Sequence, residues 1–119
     1  AALLFALLCI ATSSCIHHHG DIDITYSESD QYYSMEAYFN EGQTRKVERY
    51  MDEMIGSKSN MSFSNTRIDG SLTLDDRTTF YIKKSPGILK IKLDKDKNSD
   101  EGFNEIKSMC RGIKKVLSK

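Results

Sequence analysis

The segment from residue 66 to residue 93, TRIDGSLTLDDRTTFYIKKSPGILKIKL, constrains the fold of this chain more than any other. Apolar residues alternate with polar ones in short runs, and clusters of turn-forming residues separate the runs, which is typical of β-strands. Asp75-Asp76 and Ser85-Pro86-Gly87 mark the two turns. Gly70 is expected to form a bulge or a bend. We therefore expect three consecutive strands, whose buried face carries Ile68, Leu72, Leu74, Phe80, Ile82, Leu89, Ile91 and Leu93.

Two more strands are predicted near the start of the chain. Residues 21–26, DIDITY, alternate strictly, so that Ile22, Ile24 and Tyr26 share one face. Residues 32–39, YYSMEAYF, alternate in the same way. Polar residues between the two runs predict a hairpin. The buried face of the second strand is expected to carry Tyr33, Met35, Ala37 and Phe39.

A first amphipathic helix is predicted over residues 42–55. Asn40 is a suitable N-cap with Gln43 three residues later, and Gly56 is expected to end the helix. Apolar residues recur at helical spacing, which gives one buried stripe. The stripe consists of Val47, Tyr50, Met51, Met54 and Ile55.

A second amphipathic helix is predicted from about Asp100 to the end of the chain. Its stripe consists of Phe103, Ile106, Cys110, Ile113 and Leu117, with Met109 and Val116 beside them. The expected fold is therefore α+β. It is an antiparallel sheet of about five strands in the order ββαβββα, with two amphipathic helices packed on one face. Residues 21–119 form its single domain.

The first residues have a different character. Residues 1–11, AALLFALLCIA, are continuously apolar, and this run is too short to span a bilayer but fits the core of a signal peptide. We interpret residues 1–14 as a signal peptide that is truncated at its start, because Met and a basic segment are missing. The small residues before Cys15 resemble a bacterial lipobox, which predicts lipid attachment at Cys15. An ordinary cleaved signal or a plain membrane anchor are the alternatives.

Residues 15–20 are expected to form a tether. The three histidines within it, residues 17–19, favour a solvated tether over a metal site, because adjacent side chains on a strand face opposite ways. Cys9 leaves with the signal and Cys15 is acylated, so only Cys110 remains and no disulfide framework is expected. Cys110 lies on an apolar stripe, which favours a buried thiol over a nucleophile.

The charges of the chain argue against a nucleic-acid partner. There are 17 basic and 17 acidic residues, and the formal net charge is zero, whereas nucleic-acid binding depends on excess cations. One local concentration of cations stands out at the end of the fourth predicted strand and on the fifth. It is interpreted either as a basic surface for phosphate, lipid headgroups or an acidic partner, or as a solvated strand face. Its members are Lys83, Lys84, Lys90 and Lys92.

A calcium loop is the strongest candidate for bound-ion chemistry. Residues 94–105, DKDKNSDEGFNE, place oxygen donors at positions 1, 3, 5, 7 and 12, as an EF-hand loop does. Ser99 occupies position 6, where the EF-hand requires Gly, and a strand precedes the loop instead of a helix. The alternative is a polar strand-to-helix turn, capped by Asn98, Ser99 or Asp100. The candidate ligands are Asp94, Asp96, Asn98, Asp100 and Glu105; no other cofactor is indicated.

No catalytic signature is present in the sequence. All histidines lie in the tether, and no Gly-rich phosphate loop, CxxC or HExxH occurs. The runs NTRIDGSLTLDDRTTFYIKKSPGILKIKLDK and IKSMCRGIKKVL resemble small envelope lipoproteins of Bacteroidetes-type bacteria. The resemblance implies an exported, acylated α+β protein and brings no activity or functional residues with it.

The sequence therefore predicts a lipid-anchored protein of the bacterial cell envelope, on the periplasmic or surface side. Its expected role is non-enzymatic, as a protein-binding or structural module that presents the open sheet face or the first helix to an envelope protein. A calcium-binding module that uses residues 94–105 is one alternative, and an enzyme of unidentified type is another.

Overall fold

The computed structural model describes residues 22–119. Five strands form one sheet: β1 (Asp23–Glu28), β2 (Tyr32–Tyr38), β3 (Ile68–Thr73), β4 (Thr79–Ser85) and β5 (Ile88–Asp94). Their spatial order is β1-β2-β5-β4-β3, and every neighbouring pair is antiparallel. Helical segments follow β2 and β5. The α+β fold and the order of its elements are as the sequence predicts.

The first helical segment is longer and less regular than predicted. A 3-10 turn (Glu41–Gln43) leads into α1 (Thr44–Met51), a π-helical turn (Asp52–Gly56) and the single turn α2 (Ser57–Ser59). Asn40 is the cap, since its Oδ1 accepts a hydrogen bond from the Gly42 N–H at 2.8 Å. Gly56 does not end the segment. Its φ of −61° is ordinary for a right-handed helix, and Asn60, with φ of 58°, supplies the left-handed residue at the end.

The last helix agrees with its prediction. It is α3 (Asp100–Leu117), and the Ser99 Oγ caps it by accepting a hydrogen bond from the Gly102 N–H at 3.0 Å. Charges near its two ends suit the helix dipole, with acidic residues in the first turn and Lys114 and Lys115 in the last. Its apolar stripe packs into the core, with Ile106, Cys110, Ile113 and Leu117 buried and Phe103 partly buried.

The core lies between the sheet and the helices. The alternating residues predicted to face inward on β2, β4 and β5 are all buried, as are Val47, Met51 and Ile55 of the first helical segment. Ile68 and Leu72, on the edge strand β3, are only partly covered. Gly70 forms no bulge, because the pairing of β3 with β4 continues in regular register through it. Apart from its chain neighbours, no residue has an atom within 4 Å of a Cβ built on Gly70. Gly70 therefore lies at an open position on the edge strand, and the predicted bend is absent.

The strand β1 begins two residues later than predicted and continues to Glu28. Tyr26 lies on its helix-facing side, but the edge position leaves 38% of the side chain exposed. Its hydroxyl donates a hydrogen bond of 3.2 Å to the Cys110 carbonyl oxygen, which ties β1 to α3. The predicted signal peptide, the predicted lipid-attachment residue Cys15, the predicted tether and Asp21 lie outside the described residues. Within residues 22–119, no helix combines the length and the apolar character needed to cross a bilayer.

Candidate functional site

The residues of the predicted calcium loop form the end of β5, the connection that follows it and the first turns of α3. Asp94 Oδ1 accepts a hydrogen bond from the Asp96 N–H at 2.9 Å and so caps a 3-10 turn (Lys95–Lys97). The Asn98 amide binds both the N–H and the carbonyl oxygen of Thr79, at 2.8 and 2.9 Å, and also the Asp94 carbonyl oxygen. These contacts join the connection to the start of β4. The side-chain oxygens of Asp94 and Asn98 therefore accept hydrogen bonds from the backbone of two different elements, the 3-10 turn and β4.

The two remaining candidate ligands point elsewhere. Asp100 is exposed in the first turn of α3, and the Glu105 carboxylate binds the Lys58 ammonium group at 2.8 Å. Nowhere in residues 22–119 do three His, Cys, Asp or Glu side chains gather in a way that could hold a metal ion. The segment 94–105 thus has the geometry of a strand-to-helix turn, and Ser99 is its cap.

The predicted basic surface is divided between the two faces of the sheet. Lys84 lies on the helix-facing side and is 3% exposed, and its ammonium group lies 2.6 Å from the buried Glu48 carboxylate. Burial of this pair is tolerated because each charge neutralises the other, and the Asn65 N–H also donates to Glu48. The inclusion of Lys84 in a basic surface is therefore wrong.

Lys83, Lys90 and Lys92 do lie on the open face of the sheet, where acidic residues are opposite two of them in the register, although none of the three forms an ion pair within 4.0 Å among residues 22–119. In the strand register, Lys83 is opposite Asp69 and Lys90 is opposite Glu36. Two tyrosines on this face, Tyr32 and Tyr38, are 39% and 40% exposed, and the ammonium groups of Lys92 and Lys90 lie 4.4 and 5.7 Å from their ring centroids. The open face is thus polar and mixed in charge.

Cations instead collect in a groove between α1 and α3, with a volume of about 930 Å³. Six cationic side chains and one carboxylate line it, although the chain as a whole is neutral. We call this surface the interhelical groove. Its charged residues are Lys46, Arg49, Lys107, Arg111, Lys115, Lys119 and Glu53, and its uncharged residues are Tyr50, Asn104, Ser108, Gly112 and Val116.

Close contact between Tyr50 and Gly112 forms the floor of the groove. A Cβ built on Gly112 would lie 1.7 Å from the Tyr50 hydroxyl oxygen, so only glycine allows the ring to pack where it does. Burial raises the pKa of Tyr50 further above neutrality. A tyrosine hydroxyl is protonated at neutral pH in any case, so that of Tyr50 can donate a hydrogen bond. The floor therefore offers a neutral donor between two rows of cations.

Most cations of the groove are not neutralised by a neighbour. Lys107 binds the Glu28 carboxylate at 2.9 Å. Among residues 22–119, the other five form no ion pair within 4.0 Å. Like charges that face each other across a groove repel, and an anion placed between them relieves that repulsion. The arrangement is suited to binding a negatively charged group.

The buried Cys110 does not provide a nucleophile. Its side chain is fully buried, and burial raises the pKa of the thiol to about 12, so the thiolate is absent at neutral pH. The nearby Tyr33 hydroxyl is buried and has no hydrogen-bond partner that meets ordinary geometry, and burial raises the pKa of Tyr33 as well. The prediction of a structural thiol at Cys110 is confirmed.

The sequence contained one signal for the groove. Lys107, Arg111 and Lys115 recur at intervals of four residues, so they line one side of α3. This row was not predicted as a binding surface, because the apolar stripe is the stronger pattern of the helix. The facing cations on α1, Lys46 and Arg49, appear opposite that row only in the folded chain.

Comparison with protein-family models, with curated proteins and with solved structures finds no match to this chain. Among residues 22–119, the interhelical groove is the best-supported candidate for a functional site.

Proposed function

We propose that this protein is a lipid-anchored, non-enzymatic binding module of the bacterial cell envelope, and that it binds an anionic partner in the interhelical groove. The observation that carries the proposal is that six cations and one carboxylate line the groove, in a chain with no net charge, and that five of the six cations have no ion-pair partner among residues 22–119. The apolar leader that ends at Cys15 supports export and acylation.

Electrostatic attraction in the groove depends on several charges acting together. Exposed cations attract an anion weakly one at a time, but charges on both sides of a groove add their potentials where the ligand lies. Salt weakens such attraction, because the screening length is only about 8 Å at physiological ionic strength. Binding that weakens as salt increases is therefore part of the proposal.

A pair of adjacent lysines provides a matched test of the groove. Lys115 lines it and Lys114 does not, although both are exposed and both lie in the last turn of α3. Lys115→Gln and Lys114→Gln thus change the net charge and the helix dipole interaction equally. We expect Lys115→Gln, above all combined with Arg111→Gln, to weaken binding of fluorescent poly-L-glutamate, while Lys114→Gln retains it.

Equal loss of poly-L-glutamate binding in both single variants would show attraction by net charge alone and would refute the groove as the site. The anchor is tested separately. We expect Cys15→Ala to release the protein from membranes with its fold intact, and mass spectrometry of the unchanged protein to find fatty acid at Cys15. A mature N-terminus without fatty acid would contradict the anchor and leave the groove proposal standing.

A further inference from the structure

The cations on α3 are spaced for a ligand that carries its charges at regular intervals. Lys107, Arg111 and Lys115 are four residues apart, and a helix rises about 1.5 Å per residue, so they are about 6 Å apart along the axis. Because Glu28 holds the Lys107 ammonium group, Arg111 and Lys115 are the two members of this row that have no ion-pair partner among residues 22–119. Alternate side chains of an extended peptide lie on one side and are about 6.4–6.8 Å apart. The two repeats differ by less than about 1 Å per step, and by at most about 1.6 Å over the two steps of the row.

The opposite wall gives such a peptide a second set of partners. Lys46 and Arg49 of α1 face the α3 row, and Asn104 and Ser108 add side-chain hydrogen-bonding groups at one end. An extended peptide has backbone N–H and carbonyl groups that need partners between its side chains. The groove therefore offers both charge for acidic side chains and polar groups for the backbone.

Glu53 gives the groove a direction. The two helical segments run antiparallel, because Tyr50 packs on Gly112 while Lys58, farther along the first segment, binds Glu105, which is earlier in α3. Glu53 consequently lies toward the Asn104 end, and Lys46 lies toward the Lys115 end. A uniformly anionic polymer would place charge beside Glu53, whereas a peptide can place a basic or uncharged residue there.

Resting on the proposed function, we infer that the anionic partner is an extended segment of another protein. Its acidic side chains recur at every second position and face α3, and the end of the segment beside Glu53 is basic or uncharged. A flat bilayer does not enter a groove between two helices, and polyphosphate lacks a residue to suit Glu53. Charge complementarity and spacing therefore favour the peptide over both.

The test uses the full chain with Cys15→Ala and three labelled octapeptides of identical length. One alternates Glu and Ser, the second has the same composition with its four Glu in one block, and the third replaces Glu by Gln. We expect the alternating peptide to bind about tenfold more tightly than the block peptide, which is a difference of about 1.4 kcal/mol. We expect the Gln peptide not to bind.

Variants of the two walls then locate the peptide. We expect Lys115→Gln to weaken binding of the alternating peptide and Lys114→Gln to retain it. We expect a terminal Lys added to the alternating peptide, at the end near Glu53, to strengthen binding, and Glu53→Gln to abolish that gain. Equal affinity for the alternating and block peptides would refute the extended-segment inference. Tighter binding of polyphosphate or of phosphatidylglycerol vesicles would refute it too, while preserving an anionic partner. Failure of every anion to bind would refute the proposed function itself.

Discussion

The Lys84 ammonium group lies 2.6 Å from the Glu48 carboxylate, and both side chains are 3% exposed. This pair joins the sheet to the first helical segment beneath the surface. Glu48 also accepts a hydrogen bond from the Asn65 N–H at 3.2 Å, so one carboxylate links β4, α1 and the loop before β3. Buried ions are costly to leave unpaired, which makes the pair a sensitive point of the fold.

Removing one member of the pair should destabilise the protein strongly. We expect Lys84→Met to lower the free energy of unfolding by about 3–5 kcal/mol, because the change leaves Glu48 buried with only the more distant and exposed Arg45, at 3.8 Å, as a counter-charge. Urea denaturation followed by circular dichroism measures the change. Replacing both members, as Lys84→Met with Glu48→Leu, should restore most of the loss. A cost below about 1 kcal/mol for the single change would mean that Glu48 reaches water in solution.

Asn98 should matter more for stability than the other candidate calcium ligands. We expect Asn98→Ala to lower the free energy of unfolding by about 1–3 kcal/mol, because the Thr79 N–H and carbonyl oxygen lose their partner. Asp100→Asn is the control, with an expected change within about 0.5 kcal/mol, since Asp100 is exposed. We expect millimolar Ca²⁺ to leave the melting temperature unchanged. A Ca²⁺-dependent rise that Asp100→Asn removes would contradict this.

Two carboxylates should make stability fall in acid. Hydrogen bonds from Lys107 and Lys95 lower the pKa of Glu28 to about 2, and hydrogen bonds from Thr78 and then Lys58 lower the pKa of Asp76 to about 2. Because both pKa values are depressed by folding, the stabilisation is present above about pH 4.5 and is lost as the pH falls toward 2. We expect the urea midpoint to decrease over that range.

Glu28→Gln and Asp76→Asn should each flatten this acid dependence, and added salt should reduce it, because the groups are largely exposed. The urea midpoint of each variant at pH 5 and pH 2.5 provides the comparison. An unchanged slope in both variants would assign the acid sensitivity to other carboxylates.

The Cys110 thiol should be unreactive in the folded protein. Burial raises its pKa to about 12, and the side chain has no exposed surface. We expect iodoacetamide at pH 8 to leave Cys110 unmodified in native protein and to modify it fully in urea, as measured by mass spectrometry of its peptide. Rapid native alkylation would indicate that α3 separates from the sheet.

Alternation and helical spacing predicted most of the fold, because burial on one face leaves a regular trace in the sequence. The same rule, applied to β4, places Lys84 inward with Phe80 and Ile82, and that is where it lies. Lysine is seldom buried, so the charge of Lys84 favoured the wrong prediction of an exposed position. The partner that allows its burial, Glu48, lies 36 residues away in the sequence and could not be identified from local spacing.

Only the α3 wall of the groove could be predicted from the sequence, for a related reason. Each wall is a row of ordinary surface cations on its own helix, and only the packing of Tyr50 on Gly112 sets the rows opposite each other. The end of the first helical segment was also missed. A π-helical turn carries it past Gly56, and the Asp52 carboxylate then accepts the Phe63 N–H at 2.8 Å, a contact that local spacing does not reveal.

The strand order β1-β2-β5-β4-β3 has a consequence for how the chain assembles. The β1–β2 and β3–β4–β5 pairings join sequence neighbours, whereas β2 meets β5 only after a loop of about 50 residues has closed. Until β2 and β5 have paired, one edge of β5 has unpaired backbone N–H and carbonyl groups next to the apolar side chains of Leu89 and Ile91. We therefore expect two partly folded chains to exchange the β1–β2 hairpin, or to aggregate, at the stage before β2 pairs with β5.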